Sequence, residues 1–152
     1  MRRLGPGDPA LTEVLALIRA AFAGMEGRID PPSSMHRLDA AALEAQAAEA
    51  EVWVIGAPVR ACVILTPRAS ALYLGKLAVA AEARGQGLAR ALVQQAEARA
   101  RALGLPALEL QTRVELTENH ATFAALGFEE VGRTSHAGFD RPTTILFRKV
   151  LA

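Results

Sequence analysis

Residues 72–79 form an apolar strand pattern that runs into the polar turn Arg84-Gly85-Gln86-Gly87-Leu88-Ala89. A helical pattern follows at once over 87–103, with Leu88, Ala91, Leu92 and Ala96 on one face and Gly104 as its stop. A strand feeding a helix through so short a turn points to a mixed α/β fold, because both elements must bury their apolar sides against each other. The first amides of a helix carry partial positive charge and point beyond its end. Glycines at 85 and 87 let an anion approach that backbone closely, which makes the turn a candidate phosphate site. The competing reading is a turn whose glycines serve geometry only. No Gly-Lys-Ser/Thr follows, as in a Walker loop, and the pattern is not Gly-x-Gly-x-x-Gly.

The rest of the chain alternates in the same way. Residues 9–24 read as a helix, with Leu11, Val14, Leu15, Ile18 and Phe22 on one face. Residues 28–35 form a loop broken by Pro31 and Pro32. A second, Ala-rich helix is expected from Asp39 as N-cap to about residue 50. The period then changes to two: 52–55 and 59–65 flank Gly56-Ala57-Pro58 as a hairpin. Beyond the long helix come a strand over 107–114 and a short helix over 118–126 ended by Gly127. Strands over 128–133 and 143–150 follow, joined by a loop around Gly138. The expectation is one domain over 1–152. Its sheet is mixed, since helices separate some of the strands.

Charge and cysteine content narrow the function classes. Seventeen basic residues against sixteen acidic ones argue against a generic nucleic-acid binder, which needs a net basic face. The single cysteine, Cys62, lies in an apolar run and reads as a buried thiol. The opening Met1-Arg2-Arg3 is followed by Gly and Pro where a signal peptide would turn apolar, and no run reaches membrane-spanning length. The cytosol is the expected location. No Cys/His/Asp set has metal-ligand spacing, so no metal is expected.

Arg84-x-x-Gly87-x-Ala89 resembles the Q/R-x-x-G-x-G/A signature of the GNAT acyltransferase superfamily, and Leu77-Ala78-Val79 resembles the strand that enters it. Residues 118–128, with Asn119, Phe123 and Leu126-Gly127-Phe128, resemble the family's later motif. The element order agrees along nearly the whole chain. The resemblance implies a GNAT fold: a central, mostly antiparallel, splayed sheet of six to seven strands with about four helices. It implies acetyl-CoA or another acyl-CoA as co-substrate. Its pyrophosphate would lie on the backbone of Arg84, Gly85, Gln86, Gly87, Leu88, Ala89 and Arg90. Its pantetheine arm would pair with main-chain atoms of Leu77, Ala78 and Val79, beside Asn119 and Phe123. Helix capping is the other reading of Asn119.

The implied reaction is direct attack of an amine on the thioester, and the amine must first lose a proton. Glu109 is the expected base, since Glu109, Gln111 and Arg113 share one face of their strand. Polar side chains on a covered sheet need a pocket or partners, unless that face meets water. The resemblance places an aromatic acid at Phe123, where many members have Tyr; phenylalanine supplies no proton. His36, with Arg28, Asp30 and Arg37 in the same loop, and Gln111 and Arg113 are the expected acceptor-binding residues. Three activities stay open: acylation of a small-molecule amine, an acyl-CoA-binding sensor that has lost catalysis, and acetylation of a protein amine. Neither a nucleic-acid nor a membrane partner is expected, and a homodimer is left open.

Overall fold

The computed structural model describes residues 1–31 and 38–152. Expected acceptor residues His36 and Arg37 lie outside the described residues. Seven strands form one sheet: β1 (Arg2–Leu4), β2 (Glu51–Ile55), β3 (Ala61–Pro67), β4 (Leu72–Val79), β5 (Ala107–Arg113), β6 (Glu129–Thr134) and β7 (Thr144–Val150). Their spatial order is β1-β2-β3-β4-β5-β7-β6. Every neighbouring pair is antiparallel except β4 and β5. The helices are α1 (Leu11–Ala23), α2 (Ala40–Glu49), α3 (Leu88–Ala102) and α4 (Thr117–Ala125).

Strand alternation divides the apolar residues between two cores. Val14 and Ile18 of α1 and Leu43 of α2 pack with Val52, Val54, Cys62 and Ile64 on one face. On the other face Leu92, Val93, Ala96 and Ala100 of α3 pack with Val63, Leu65, Leu108, Leu110 and Phe147. Each fully buried Leu or Ile contributes roughly 1.5–3 kcal/mol of transfer free energy. The Ala-rich α2 buries little beyond Leu43 and Ala47, so its start depends more on its cap. Asp39 accepts a hydrogen bond from the Ala42 N–H at 2.8 Å, a contact worth ~1 kcal/mol.

Two departures from regularity position the site. β4 and β5 pair only through Leu72↔Leu108 and Tyr73↔Glu109, and the strands part beyond that point. β4 also bulges there: Ile64 pairs with Gly75 and Cys62 with Ala78, so Lys76 and Leu77 of β4 stand opposite the single Val63 of β3. Lys76 takes up the bulge at φ 52°, in the left-handed region. The chain therefore bends as it leaves β5, and the β5-facing edge of β4 is left unpaired from residue 74 on.

The Leu126-Gly127-Phe128 stretch ends α4 in a Schellman motif. Phe128 N–H donates to the Phe123 carbonyl and Gly127 N–H to the Ala124 carbonyl, both at 3.0 Å. Gly127 supplies the positive φ of 96° that this reversal requires. The apolar contact that accompanies such a cap is the edge-on packing of the Phe123 and Phe128 rings, 6.2 Å apart. The motif thus fixes where the Phe123 ring lies.

Candidate active site

A cavity of about 710 Å³ opens where β4 and β5 diverge. Leu77 and Val79 of β4, Arg84, and Asn119 and Phe123 of α4 line it toward the α3–α4 face of the sheet. Phe22, Met25 and Arg28 at the end of α1, with Tyr73, Gln111 and Arg113, line it toward the opposite face. Lys76 and His136 complete the wall. The opening therefore runs through the sheet, and Arg84, three residues before the N-cap of α3, lines one side of it.

That N-terminus lacks any internal cap. Gly87 occupies the N-cap position at φ 76°, with no side-chain hydrogen bond, and no acidic residue sits in the first turn. The first bond closing the helix is Ala91 N–H to the Gly87 carbonyl at 3.0 Å. The amides of residues 85–90 have no hydrogen-bond partner among the described residues. A Cβ added at Gly85 or at Gly87 would meet nothing within 4 Å, so open space lies over both. Six successive donors beside open space suit a polyanion and no neutral partner in the chain. Gln86 is anchored from the side by the Arg60 guanidinium, which donates to its Oε1.

The later motif reaches the cavity from α4. Asn119 does not cap its helix, because the N-cap position is Leu116. Its Nδ2 donates to Thr112 Oγ1 at 3.5 Å, tying α4 to β5, while its Oδ1 has no partner among the described residues. The Phe123 ring is half-buried against Phe147, 5.9 Å away, as well as Phe128.

The charged groups divide into those already committed and those that face the opening. Arg28 grips Glu118 in a two-pronged ion pair, with contacts of 2.7 and 2.9 Å. That pairing pulls the Glu118 carboxyl down to about 2, so it remains a carboxylate and a poor base. Glu109 projects to the same sheet face as Gln111 and Arg113, but among the cavity-lining residues only the latter two appear. The cation facing Glu109 is Arg148, directly opposite it on β7. Arg148 also donates to the Ser70 carbonyl at 3.3 Å, which holds the pair beside the closed part of the sheet.

Tyr73 and Lys76 line the cavity although neither was expected there. Tyr73 lies under the Arg68 guanidinium, 3.8 Å from the ring centroid. Burial raises its phenol pKa, opposed by Arg68, so the hydroxyl stays protonated at neutral pH. Burial lowers the Lys76 ammonium below its ordinary value. Alternation within β4 carried a signal for Tyr73; the bulge that turns Lys76 toward the opening carried none. Burial pushes the Cys62 thiol up to about 12, in keeping with an inert core residue. Among the described residues no group of three or more His, Cys, Asp or Glu side chains is gathered as metal ligands would be. No described helix is long and apolar enough to cross a membrane.

Known proteins share this architecture. An acetyltransferase from Streptococcus agalactiae superposes with a TM-score of 0.75 at 19% identity, covering 99% of this chain and 96% of that one. A GNAT family acetyltransferase from Elizabethkingia anophelis, solved with acetyl-CoA bound, gives 0.68 at 16% identity, covering 99% and 96%. The ribosomal-protein-S18-alanine N-acetyltransferase from Escherichia coli gives 0.68 at 18% identity, covering 98% and 92%. At these identities the likeness establishes a shared GNAT fold, with its seven-stranded mixed sheet and four helices. No curated protein sequence matches significantly. The profile of the Acetyltransferase (GNAT) family, however, matches residues 16–128. That span runs from α1 through the uncapped helix start to the end of the α4 motif, and it shows that the chain belongs to the GNAT acetyltransferase family.

Proposed function

We propose that this protein is an acetyl-CoA-dependent N-acyltransferase that acts on the primary amine of a small molecule. The observation that carries the reading is the row of six unpartnered amides at residues 85–90, with open space over Gly85 and Gly87, directly following Arg84, which lines the through-sheet cavity. These residues fit the pyrophosphate of acetyl-CoA: main-chain donors and the α3 dipole face a double anion, and Arg84 and Arg90 stand at either end. The unpaired edge of Leu77, Ala78 and Val79 offers main-chain groups to the amide-bearing pantetheine arm, as a sheet edge does to an added strand. Asn119 Oδ1 and the Phe123 ring flank that path. Acetyl-CoA bound in this way supplies an electrophilic thioester carbonyl at the middle of the sheet.

The chain's own contribution is to hold two reactants in line and to manage protons. Placing both in one cavity removes much of the entropic barrier of a bimolecular reaction. Gln111 and Arg113 face the acceptor side and are the proposed contacts for the amine-bearing molecule. Arg28 and Asp30 support a small acceptor in preference to an extended peptide. Asp30 is tied to Arg141 of the β6–β7 loop at 3.3 Å, and its N–H donates to Glu115 at 3.1 Å. With the Arg28–Glu118 pair, these contacts draw the segment after α1 against α4 and the final hairpin. The deciding experiment is calorimetry with acetyl-CoA followed by a turnover screen over small amines and amine-terminated peptides. Release of free thiol with small amines and none with peptides is expected. Binding without turnover of any amine would favour a sensor.

Phe123 permits a sharper check. Phe123→Tyr adds a phenol to a ring that lines the cavity, at the position the family motif uses for an acid. The variant is expected to keep its acetyl-CoA affinity and to gain up to ~10-fold in kcat at neutral pH. A severe loss of kcat at unchanged affinity would show that the ring packs against substrate and has no room for a hydroxyl.

A further inference from the structure

We infer that His136 is the group that takes the proton from the acceptor amine, set in its basic tautomer by Thr143. The inference rests on the acyltransferase reading above, and it concerns a residue the family motifs do not include. His136 lies in the loop between β6 and β7 and lines the cavity. Thr143, which is fully buried, stands just before β7 and organises the ring.

The hydrogen bonds around Thr143 determine which ring nitrogen holds the proton. Its hydroxyl has one proton and two acceptors in reach: His136 Nδ1, and the Thr134 carbonyl at 3.4 Å, which also accepts the Thr143 N–H at 2.9 Å. The inferred arrangement has that proton on the carbonyl. The hydroxyl oxygen accepts the His136 backbone N–H at 2.9 Å. It also contacts His136 Nδ1. With the hydroxyl proton placed on Thr134, Nδ1 is the donor in that last contact. In that arrangement the neutral ring carries its proton on Nδ1, and Nε2 keeps a lone pair. Nε2 has no hydrogen-bond partner among the described residues. A half-buried imidazole with its basic nitrogen uncommitted at the wall of a cavity is arranged as a general base is, with a third group orienting it.

The competing carboxylates in reach are committed elsewhere. Glu118 is held as a carboxylate by Arg28, and Glu109 is held by Arg148 outside the lining. The other ionisable groups sharing the cavity are Tyr73, Lys76, Arg84 and Arg113. From the neighbouring loops, Asp30, Glu115 and Arg141 form their own ion-paired cluster.

The step balances without any further reagent. The acceptor ammonium gives one proton to Nε2, and the ring becomes an imidazolium. The amine lone pair then forms the new C–N bond as the thioester C–S bond breaks, and sulfur keeps the electron pair. The nitrogen's surplus proton ends on that sulfur, and the ring returns its own proton to water.

Two readouts test this separately from the acyltransferase reading. In the protein alone, long-range ¹H–¹⁵N NMR of the imidazoles, with His136→Gln to identify the signals, is expected to show the Nδ1–H tautomer at His136. Thr143→Val should shift that population toward Nε2–H, and Thr143→Ser should restore it. In kinetics, His136→Gln is expected to lower kcat/KM by roughly 10²-fold near neutral pH. It should also remove the acidic limb of the pH–rate profile while leaving acetyl-CoA affinity within a few-fold. An Nε2–H tautomer in the wild type overturns the inference. So does an intact acidic limb in His136→Gln, above all if Glu109→Gln abolishes that limb instead. Absence of acetyl-CoA binding to the wild type would instead remove the acyltransferase reading, and the tautomer result would still stand or fall alone.

Discussion

Gly87→Val is expected to abolish acetyl-CoA binding while leaving a folded protein. Gly87 caps α3 at a φ of 76°, and open space lies where its side chain would begin. A valine there projects into the space assigned to the pyrophosphate and separates the anion from the amides behind it. Hydrogen bonds to a charged group contribute about 1.5–3 kcal/mol each, so losing two of them costs roughly 100-fold or more in affinity. The substitution also carries a backbone cost. A β-carbon in the left-handed region is disfavoured by about 1–2 kcal/mol, which lowers Tm by several degrees without unfolding a domain of this size. Calorimetry and a thermal melt on the same sample separate the two effects. Gly87→Ala, which carries a smaller side chain, should fall between. Wild-type affinity in Gly87→Val would mean that the phosphates lie elsewhere.

The second large effect concerns what holds α3 in place. Glu51 of β2 is buried, and Arg99 of α3 grips both its oxygens, at 2.8 and 2.9 Å. Trp53 Nε1 donates to the same carboxylate at 2.9 Å. The Arg99 hydrogen bond lowers the Glu51 pKa, against the opposing effect of burial. Breaking a buried pair costs about 3–5 kcal/mol, and the partial exposure of Arg99 reduces this to roughly 2–3. Glu51→Gln is therefore expected to lose ~2–3 kcal/mol of unfolding free energy at pH 7, read by urea denaturation. The sign with pH follows from the lowered folded pKa. The contribution is complete above the unfolded carboxyl value and is lost as pH falls through the folded one. Wild type and Glu51→Gln should thus draw together as pH falls below the unfolded carboxyl value and through the lowered folded one. A gap that stays constant down to pH 3 would show that the carboxylate charge is not what matters.

The parts of this molecule that were legible in its sequence are those where one local rule acts. The strand–turn–helix of residues 72–103 announces itself because glycine at two positive-φ sites and an abrupt change of period have few other causes. Asp39 reads as a cap because capping needs only three successive residues. Residues Arg2–Leu4 escaped, since a three-residue edge strand shows no period and gains its place only by pairing with β2. The site was legible in proportion to how local each part was. The amides of residues 85–90 belong to one turn and were foreseen. The partner of Glu109 was not, because Arg148 reaches it only through the β5–β7 register, thirty-nine residues along the chain. Gln111 and Arg113 face the cavity as alternation requires, whereas the bulge at Lys76 interrupts that alternation. The tautomer of His136 depends on a threonine across a hairpin loop, and no spacing rule encodes such a contact.

The most direct test of the account compares two ligands on the wild-type protein. Acetyl-CoA is expected to bind one-to-one in calorimetry with a Kd on the order of micromolar, as is usual for enzyme substrates. S-acetylpantetheine keeps the thioester and the arm but lacks the whole 3′-phospho-ADP, the pyrophosphate included. It should bind at least ~100-fold more weakly, because the amides of residues 85–90 have no anion to meet. Equal affinity for the two ligands, or no binding of acetyl-CoA at all, would contradict the assignment of that turn.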